Sequence, residues 1–399
     1  MRITTYNGHM YIAILGRQPE IGIAELERMF GGNNVTPFSS QTATFEATEF
    51  DIQDFGGILK AGQVQFEMNN NDWRTVGSKI INFYSEKWST FEGKITIGIS
   101  VYDMPVKSRD IQQTGITLKQ KLKQNGVSLR LVPNNDPALS TATSHHNKLG
   151  LSNNKVELII VKGFNGKIIV AESTGSQNIT SYARRDQERP KRDAFVGMLP
   201  PKLAQIMVNL AVGNVKNPEL TILDPFCGTG VVLQEALLRG YKAYGTDLSD
   251  KMIEYSEHNL QWFANRMRMD YDFKLDQGDA MTKQWTGRID AVACESYLGQ
   301  PFSAPPSPSK RDEVVKTCNH IITEFLINIR SQIEPGTRLC IAVPAWRDNY
   351  GNFTHLPLIE AIGKYGYKPH EFHNLKQKNL MYYRDDQVVA RELLVITKV

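Results

Sequence analysis

The chain of 399 residues is 41% hydrophobic and 22% charged, enough apolar material for two or three packed domains. No segment approaches the ~20 unbroken apolar residues of a bilayer span, and Met1 to Gly8 lacks the basic and apolar regions of a secretory signal, so membrane insertion and secretion are set aside and a cytoplasmic address is expected. The formal charge of +4 is uneven: residues 1–100 carry 8 bases against 11 acids, 101–192 carry 15 against 7, and 193–399 carry 23 against 24, so the whole excess sits in the middle, as either a local phosphate-binding surface or a solvated basic face.

In chain order, Tyr11 to Leu15 is a short apolar run that predicts a strand, and Ile23, Leu26, Met29 and Phe30 recur at helical spacing after Pro19. Residues 42–66 alternate weakly and predict further strands and a helix, making residues 1–70 a small α+β unit. Ile95 to Val101 alternates as a strand, Ile111 to Gln124 has helical spacing with Lys119, Lys121 and Lys123 on it, and 156–161 and 167–171 predict strands. Val132 to Asn154 is rich in Pro, Asn, Ser and Thr and predicts loops or short irregular elements. Tyr182 to Asp193, charged and poor in apolar residues, predicts a linker. A helix follows from Leu199 to Val212, its prolines at the start where they are tolerated. Strand and helix patterns then alternate: 221–226, 229–239, 242–247, 249–265, 272–278, 289–294, 310–332, 338–344, 356–364, and final strands near 369–375 and 391–397. That alternation implies an α/β domain with a mainly parallel, doubly wound sheet.

The chemistry concentrates where these strands end. Thr221 to Gly230 places Asp224 at the end of a strand, then Pro225 and Phe226, then Gly228 and Gly230 in the turn into a helix. The glycines permit a tight turn and close approach of a ligand to the backbone, and Asp224 suits an amino-bearing or cationic ligand group. A dinucleotide fold would put its third glycine where Leu233 stands. Asp247, followed by Leu248, closes the next strand, a position from which a carboxylate accepts two ribose hydroxyls. Asp279 and Ala280 end the third, where the acid accepts from an adenine amine. Three acids at the carboxyl ends of successive strands define one crevice.

Leu223-Asp-Pro-Phe-Cys-Gly-Thr-Gly230, Gly245-Thr-Asp247 and Gly278-Asp-Ala280 resemble motifs I, II and III of class I methyltransferases. Tyr182, Arg185-Asp186, Arg189-Pro190, Arg192-Asp193 and Gly197 to Ala204 resemble the lead-in of the THUMP-containing tRNA guanosine-N2-methyltransferases. The resemblance implies a ferredoxin-like domain (1–70), a THUMP RNA-binding domain (71–180), a linker (181–198) and a Rossmann-like class I methyltransferase domain (199–399). It also implies S-adenosyl-L-methionine as cofactor and methylation of an exocyclic amine in tRNA, commonly at guanosine-10. Lys119, Lys121, Lys123, Arg184, Arg185, Arg189, Lys191 and Arg192 are the candidate RNA contacts.

The sequence departs from this family after the fourth strand, where Asp or Asn, two prolines and an aromatic residue are expected. Here Glu295 takes the acid's place, Ser296 and Tyr297 replace the prolines, and Leu298 replaces the aromatic. Three readings stay open: Glu295 accepts from the amine with Ser296 and Tyr297 completing the base site, the acceptor is another nucleotide or another amine, or the chain is a non-catalytic RNA-binding protein that keeps the cofactor pocket. Losing both prolines is expected to free the backbone there. A DNA amino-methyltransferase is the remaining enzymatic alternative. Whether one or two methyls are added, and whether a small activator subunit is required, is left open. Cys227, Cys294, Cys318 and Cys340 form no CxxC pair and are expected as reduced thiols; His145, His146, His370 and His373 lack the further ligands a metal site needs.

Overall fold

The computed structural model describes residues 4–5, 9–69, 72–193 and 198–399, so Gly197 of the lead-in and residues 194–197 of the expected linker lie outside the described residues. It divides into two compact units, Met1–Pro19 with Phe30–Thr180 and Glu20–Met29 with Ser181–Val399.

The elements of the N-terminal half are β1 (Thr4–Thr5), β2 (Met10–Leu15), α1 (Pro19–Phe30), β3 (Val35–Ser39), β4 (Thr42–Glu46), β5 (Ile58–Asn69), α2 (Trp73–Lys87), β6 (Lys94–Tyr102), α3 (Ser108–Gln124), β7 (Ser128–Leu131), α4 (Thr141–His146), β8 (Lys155–Lys162) and β9 (Lys167–Ser176). A single sheet runs β3-β4-β2-β5-β9-β8-β6-β7, with β1 also on β5. Strand β5 pairs antiparallel with β2 on one side and with β9, from Lys60↔Ser176 to Asn69↔Lys167, on the other. The sheet therefore runs across the expected boundary at residue 70. Alternation along β5 predicts a strand but says nothing about which edges it pairs, and pairing on both edges satisfies its backbone donors and acceptors.

Helix α1 departs from the expectation of a self-contained 1–70 domain, because its residues 20–29 pack within the second unit. Its Glu25 accepts from Asn209 Nδ2 at 2.7 Å, the Glu27 carboxylate accepts from the backbone N–H groups of His373 and Asn374 at 2.7 and 2.8 Å, and Arg28 Nε donates to the Leu210 carbonyl at 2.9 Å. Both glutamates are buried, which these partners make tolerable.

That second unit contains α5 (Ile179–Gln187) from its Ser181 onward, then α6 (Pro201–Val212), β10 (Thr221–Asp224), α7 (Val231–Leu238), β11 (Lys242–Asp247), α8 (Asp250–Met267), β12 (Phe273–Gln277), β13 (Ala291–Glu295), α9 (Pro308–Arg330), β14 (Arg338–Arg347), β15 (Phe353–Thr354), β16 (Tyr367–Pro369), β17 (Met381–Tyr382) and β18 (Val389–Lys398). Its sheet runs β12-β11-β10-β13-β14-β18-β16; the first five of these strands are parallel and β18 is antiparallel to β14. Strands β13 and β14 are buried almost throughout, with α9 packed into one core cluster and α6 into another, so their sequences read as continuous apolar runs. Two expectations give way here. The helix expected at 356–364 is two short 3-10 turns, Pro357–Ile359 and Ile362–Tyr365, and the linker expected from Tyr182 is instead largely helical through Gln187. Tyr182 explains the latter: it is buried and donates to Gln205. Among the described residues no helix is long and apolar enough to cross a membrane, no metal-binding cluster occurs, and all four cysteines are free and buried.

In the N-terminal sheet, Lys60 of β5 and Glu157 of β8 form an ion pair with side chains 2% and 1% exposed. Burial lowers the Lys60 pKa, opposed by Glu157. The Ser100 hydroxyl donates to the same glutamate at 2.5 Å and Lys60 donates to the Leu139 carbonyl at 2.7 Å. Removing one member strands a buried charge. Lys60→Met is therefore expected to destabilise by about 3–5 kcal/mol in urea unfolding, whereas Lys60→Met with Glu157→Leu recovers most of that loss.

Candidate active site

Strand order reverses at the centre of the C-terminal sheet: from β10 the chain builds outward to β11 and β12, then returns to β13 on the opposite side. Such a point opens a crevice above the carboxyl ends of the strands, because the crossover helices on the two sides diverge there. Asp224, Asp247 and Glu295 are the last residues of β10, β11 and β13, and Asp279 follows the end of β12. The Gly278 N–H donates to the Asp247 carbonyl at 2.9 Å, which ties the third strand's end to the second's.

Each of the three aspartates accepts from at least one backbone amide. Asp224 is 2% exposed and accepts from the Phe226 N–H at 3.1 Å. Asp247 accepts from Gly228 at 3.0 Å through one oxygen and from Ser249 at 2.9 Å through the other. Asp279 accepts from Met281 at 2.9 Å. Gly228 and Gly230 have φ of +51° and +84°, left-handed conformations that cost other residues energy, and a Cβ on Gly230 would come within 3.1 Å of the Ser256 hydroxyl. Burial pushes the Asp224 carboxyl well above the ordinary carboxylate range; the Phe226 amide opposes this, while the nearby Asp247 and Glu295 add to it. Burial likewise raises Asp247, against the Ser249 and Gly228 amides. Neither Asp224 nor Asp247 has a cationic partner among the described residues, so the crevice suits a ligand that brings positive charge and hydroxyl donors. Phe226 packs edge-on to Phe325 at 5.3 Å, Ala280 is buried with its carbonyl accepting from Asn328, and Leu248 is 69% exposed.

At the end of β13 the expected loss of rigidity is compensated by hydrogen bonds. Ser296 is buried, and both its N–H and its hydroxyl donate to the Ala342 carbonyl of β14 at 3.0 Å. Gly299, at φ +82°, sits where a Cβ would meet Val314 at 2.7 Å, and Tyr297 stands 45% exposed. Glu295 pairs through Oε1 with Arg391 of β18, reaching past β14, and its Oε2 has no partner among the described residues. Sequence reasoning missed Arg391. The signal available was a charged pair, Arg391-Glu392, inside the apolar run from Val388 to Ile396.

The expected RNA contacts divide. Lys119, Lys121 and Lys123 are exposed on α3, opposite its buried Ile111, Leu118 and Leu122, with Lys121 donating to Asn82 at 2.9 Å. Arg184 and Arg192 are exposed, and Lys191 lies 5.2 Å over the Tyr255 ring. Two need correction as phosphate contacts. Arg185 is paired with buried Glu235 at 2.7 Å, and the Arg189 side chain is 0% exposed and donates to Thr229 at 3.2 Å. Local charge density marks such residues as basic; it does not say which way they face.

Residues 216–387 match the family described as a methyltransferase domain. Over 172 residues, 43% of this chain, the sequence is 33% identical to a tRNA (guanine(10)-N2)-dimethyltransferase of Methanothermobacter thermautotrophicus, and over 166 residues it is 32% identical to the protein of the same name from Pyrococcus abyssi. The matched stretches span 46% and 43% of those two relatives, less than half of each. The crystal structure of TrmN from Thermus thermophilus shares the fold over 98% of this chain and 100% of its own, with a TM-score of 0.52 at 14% identity. The methyltransferase-domain match thus falls on the unit that carries the reversed strand order and the acid-tipped strands.

Proposed function

We propose that the protein is an S-adenosyl-L-methionine-dependent methyltransferase acting on the exocyclic N2 amine of a guanosine in tRNA. The observation that carries this reading is the pair of carboxylates at the ends of adjacent strands, Asp224 buried and Asp247 half-buried, behind a two-glycine turn and without a cationic partner among the described residues. Similarity to the two tRNA (guanine(10)-N2)-dimethyltransferases, over 172 and 166 residues, supports the choice of acceptor. Asp224 holds the ammonium end of the cofactor, Asp247 its ribose hydroxyls, and Asp279 the adenine side, with Pro225, Phe226, Leu248 and Ala280 shaping the walls. When bound, the cofactor supplies a methyl group already activated on a sulfonium. The chain's task is alignment: Glu295, oriented by Arg391, accepts an amine N–H through Oε2, and Tyr297 offers an exposed ring for the base to stack on. As the nitrogen–methyl bond forms and the sulfur–methyl bond breaks, the surplus amine proton leaves by way of that carboxylate or water. Ser296 replaces proline stiffness with two hydrogen bonds. Residues 71–180 are the THUMP-type RNA-binding portion, with Lys119 and Lys123, four residues apart on one exposed face of α3, gripping phosphate. The place of action is the cytoplasm, with tRNA.

Incubation of the protein with cofactor and unmodified tRNA, followed by nucleoside mass spectrometry, is expected to give N2-methylated guanosine and none from duplex DNA; methyl transfer to DNA alone, or to neither, overturns the proposal. Glu295→Gln is expected to lower kcat about 10²–10³-fold with cofactor affinity kept. Asp224→Asn is expected to abolish binding of S-adenosylhomocysteine in calorimetry. Because the folded-state carboxyl pKa is raised, the acid's contribution to stability is intact below the ordinary carboxylate value and is lost as pH rises through the raised one. Asp224→Asn therefore raises the melting temperature of the free protein at pH 8, a gain that disappears on acidification. Lys119→Ala with Lys123→Ala is expected to weaken tRNA binding, and to reduce the slope of log affinity against log salt by about one for each phosphate no longer neutralised.

A further inference from the structure

The segment before the catalytic domain, expected as a linker with a grip on RNA, is fastened to the cofactor turn. Arg185 donates to Glu235 of α7 at 2.7 and 3.4 Å. Glu188 pairs with Arg266 at 3.0 Å and Asp193 with Lys251 at 2.8 Å, both cations on α8. Between these ties, Lys191 and the buried Asn259 exchange two hydrogen bonds, Lys191 N–H to Oδ1 and Nδ2 to the Lys191 carbonyl, both at 3.0 Å. The same Nδ2 donates to the Thr229 carbonyl at 2.9 Å, and Arg189 donates to the Thr229 hydroxyl at 3.2 Å. Thr229 is the residue between Gly228 and Gly230, both with positive φ. Both of its oxygens are thus fixed from outside the turn, one by Arg189 and one by an amide that also binds the segment.

Arg189 is an unfavourable way to hold a threonine if stability is the only gain. Its side chain is 0% exposed, its nearest carboxylate is Asp186 at 3.7 Å, and its Nε and Nη2 have no hydrogen-bond partner among the described residues. A buried guanidinium so incompletely paired contributes little to stability, and an apolar residue of similar volume would serve folding as well or better. What an apolar residue cannot supply is a directed donor to the Thr229 hydroxyl.

We infer that residues 181–193 form a strap that sets the cofactor turn, with Arg189 as a positioning residue that fixes Thr229 so that the amides around Gly228 present the geometry the cofactor requires. This rests on the cofactor reading above. The strap acts on cofactor affinity and leaves the RNA contacts alone.

The test compares wild type, Arg189→Met, Arg189→Lys, Thr229→Val and the Arg189→Met, Thr229→Val double variant. The readouts are calorimetric affinity for S-adenosylhomocysteine, melting temperature of the free protein, tRNA affinity, and KM for the methyl donor against kcat. Arg189→Met is expected to weaken cofactor affinity and raise the donor KM about tenfold, with kcat and tRNA affinity within about twofold of wild type and the melting temperature unchanged or higher. Arg189→Lys recovers part of the loss, and the double variant is no worse than either single change. The inference is overturned if Arg189→Met binds S-adenosylhomocysteine within about twofold of wild type, whether its melting temperature falls, which assigns Arg189 to folding alone, or its tRNA affinity falls, which makes it a phosphate contact. If wild type itself fails to bind, the cofactor reading falls and the strap with it.

Discussion

The C-terminal unit depends on holding two carboxylates, Asp224 buried and Asp247 half-buried, without a cationic partner among the described residues at the point where its strand order reverses. Burying an acid without a counter-cation is unfavourable, and Asp224 and Asp247 accordingly hold their protons more tightly than free carboxylates do. Three amides soften the cost, those of Phe226, Gly228 and Ser249. They are available only because Gly228 and Gly230 let the chain fold back over the strand ends. Packing elsewhere in the sheet, notably of the almost wholly buried β14, offsets the remainder. A cationic ligand relieves the unfavourable charge burial, so affinity and site destabilisation have one origin.

The end of β13 is built on a different principle. Rigidity that two prolines would supply through fixed φ angles comes here from a carbonyl, that of Ala342, which receives two hydrogen bonds from Ser296. Glu295 is steadied by Arg391 from a strand not adjacent to its own, and Arg391 in turn lies beside Glu392, which is bound by His355. A side chain one methylene longer than aspartate has more freedom to lose, and the guanidinium removes that freedom on one oxygen while the other faces no protein partner among the described residues.

The fate of the basic middle segment illustrates how composition and structure diverge. An excess of eight positive charges over residues 101–192, from 15 bases against 7 acids, suggests a phosphate surface. Part of it is used internally, Arg185 on Glu235 and Arg189 on Thr229, whereas the α3 lysines, Arg184 and Arg192 are exposed.

The order of strands and helices from Thr221 to Arg347, and the acids at Asp224, Asp247 and Asp279, were legible in the sequence, because period-two and period-3.6 patterns and the punctuation of glycine are local properties of the chain. So was Glu295, by its place after the fourth strand. What only the tertiary structure decided is pairing at a distance: that β5 joins two stretches of the N-terminal half in one sheet, that residues 20–29 of α1 belong to the second unit, that Arg391 meets Glu295 from 96 residues away, and that a charged stretch resembling a linker binds Thr229 in the two-glycine turn. A residue's type and spacing fix what it can bond to, and the partner it finds is set by burial across the whole sheet, which no local window of sequence contains.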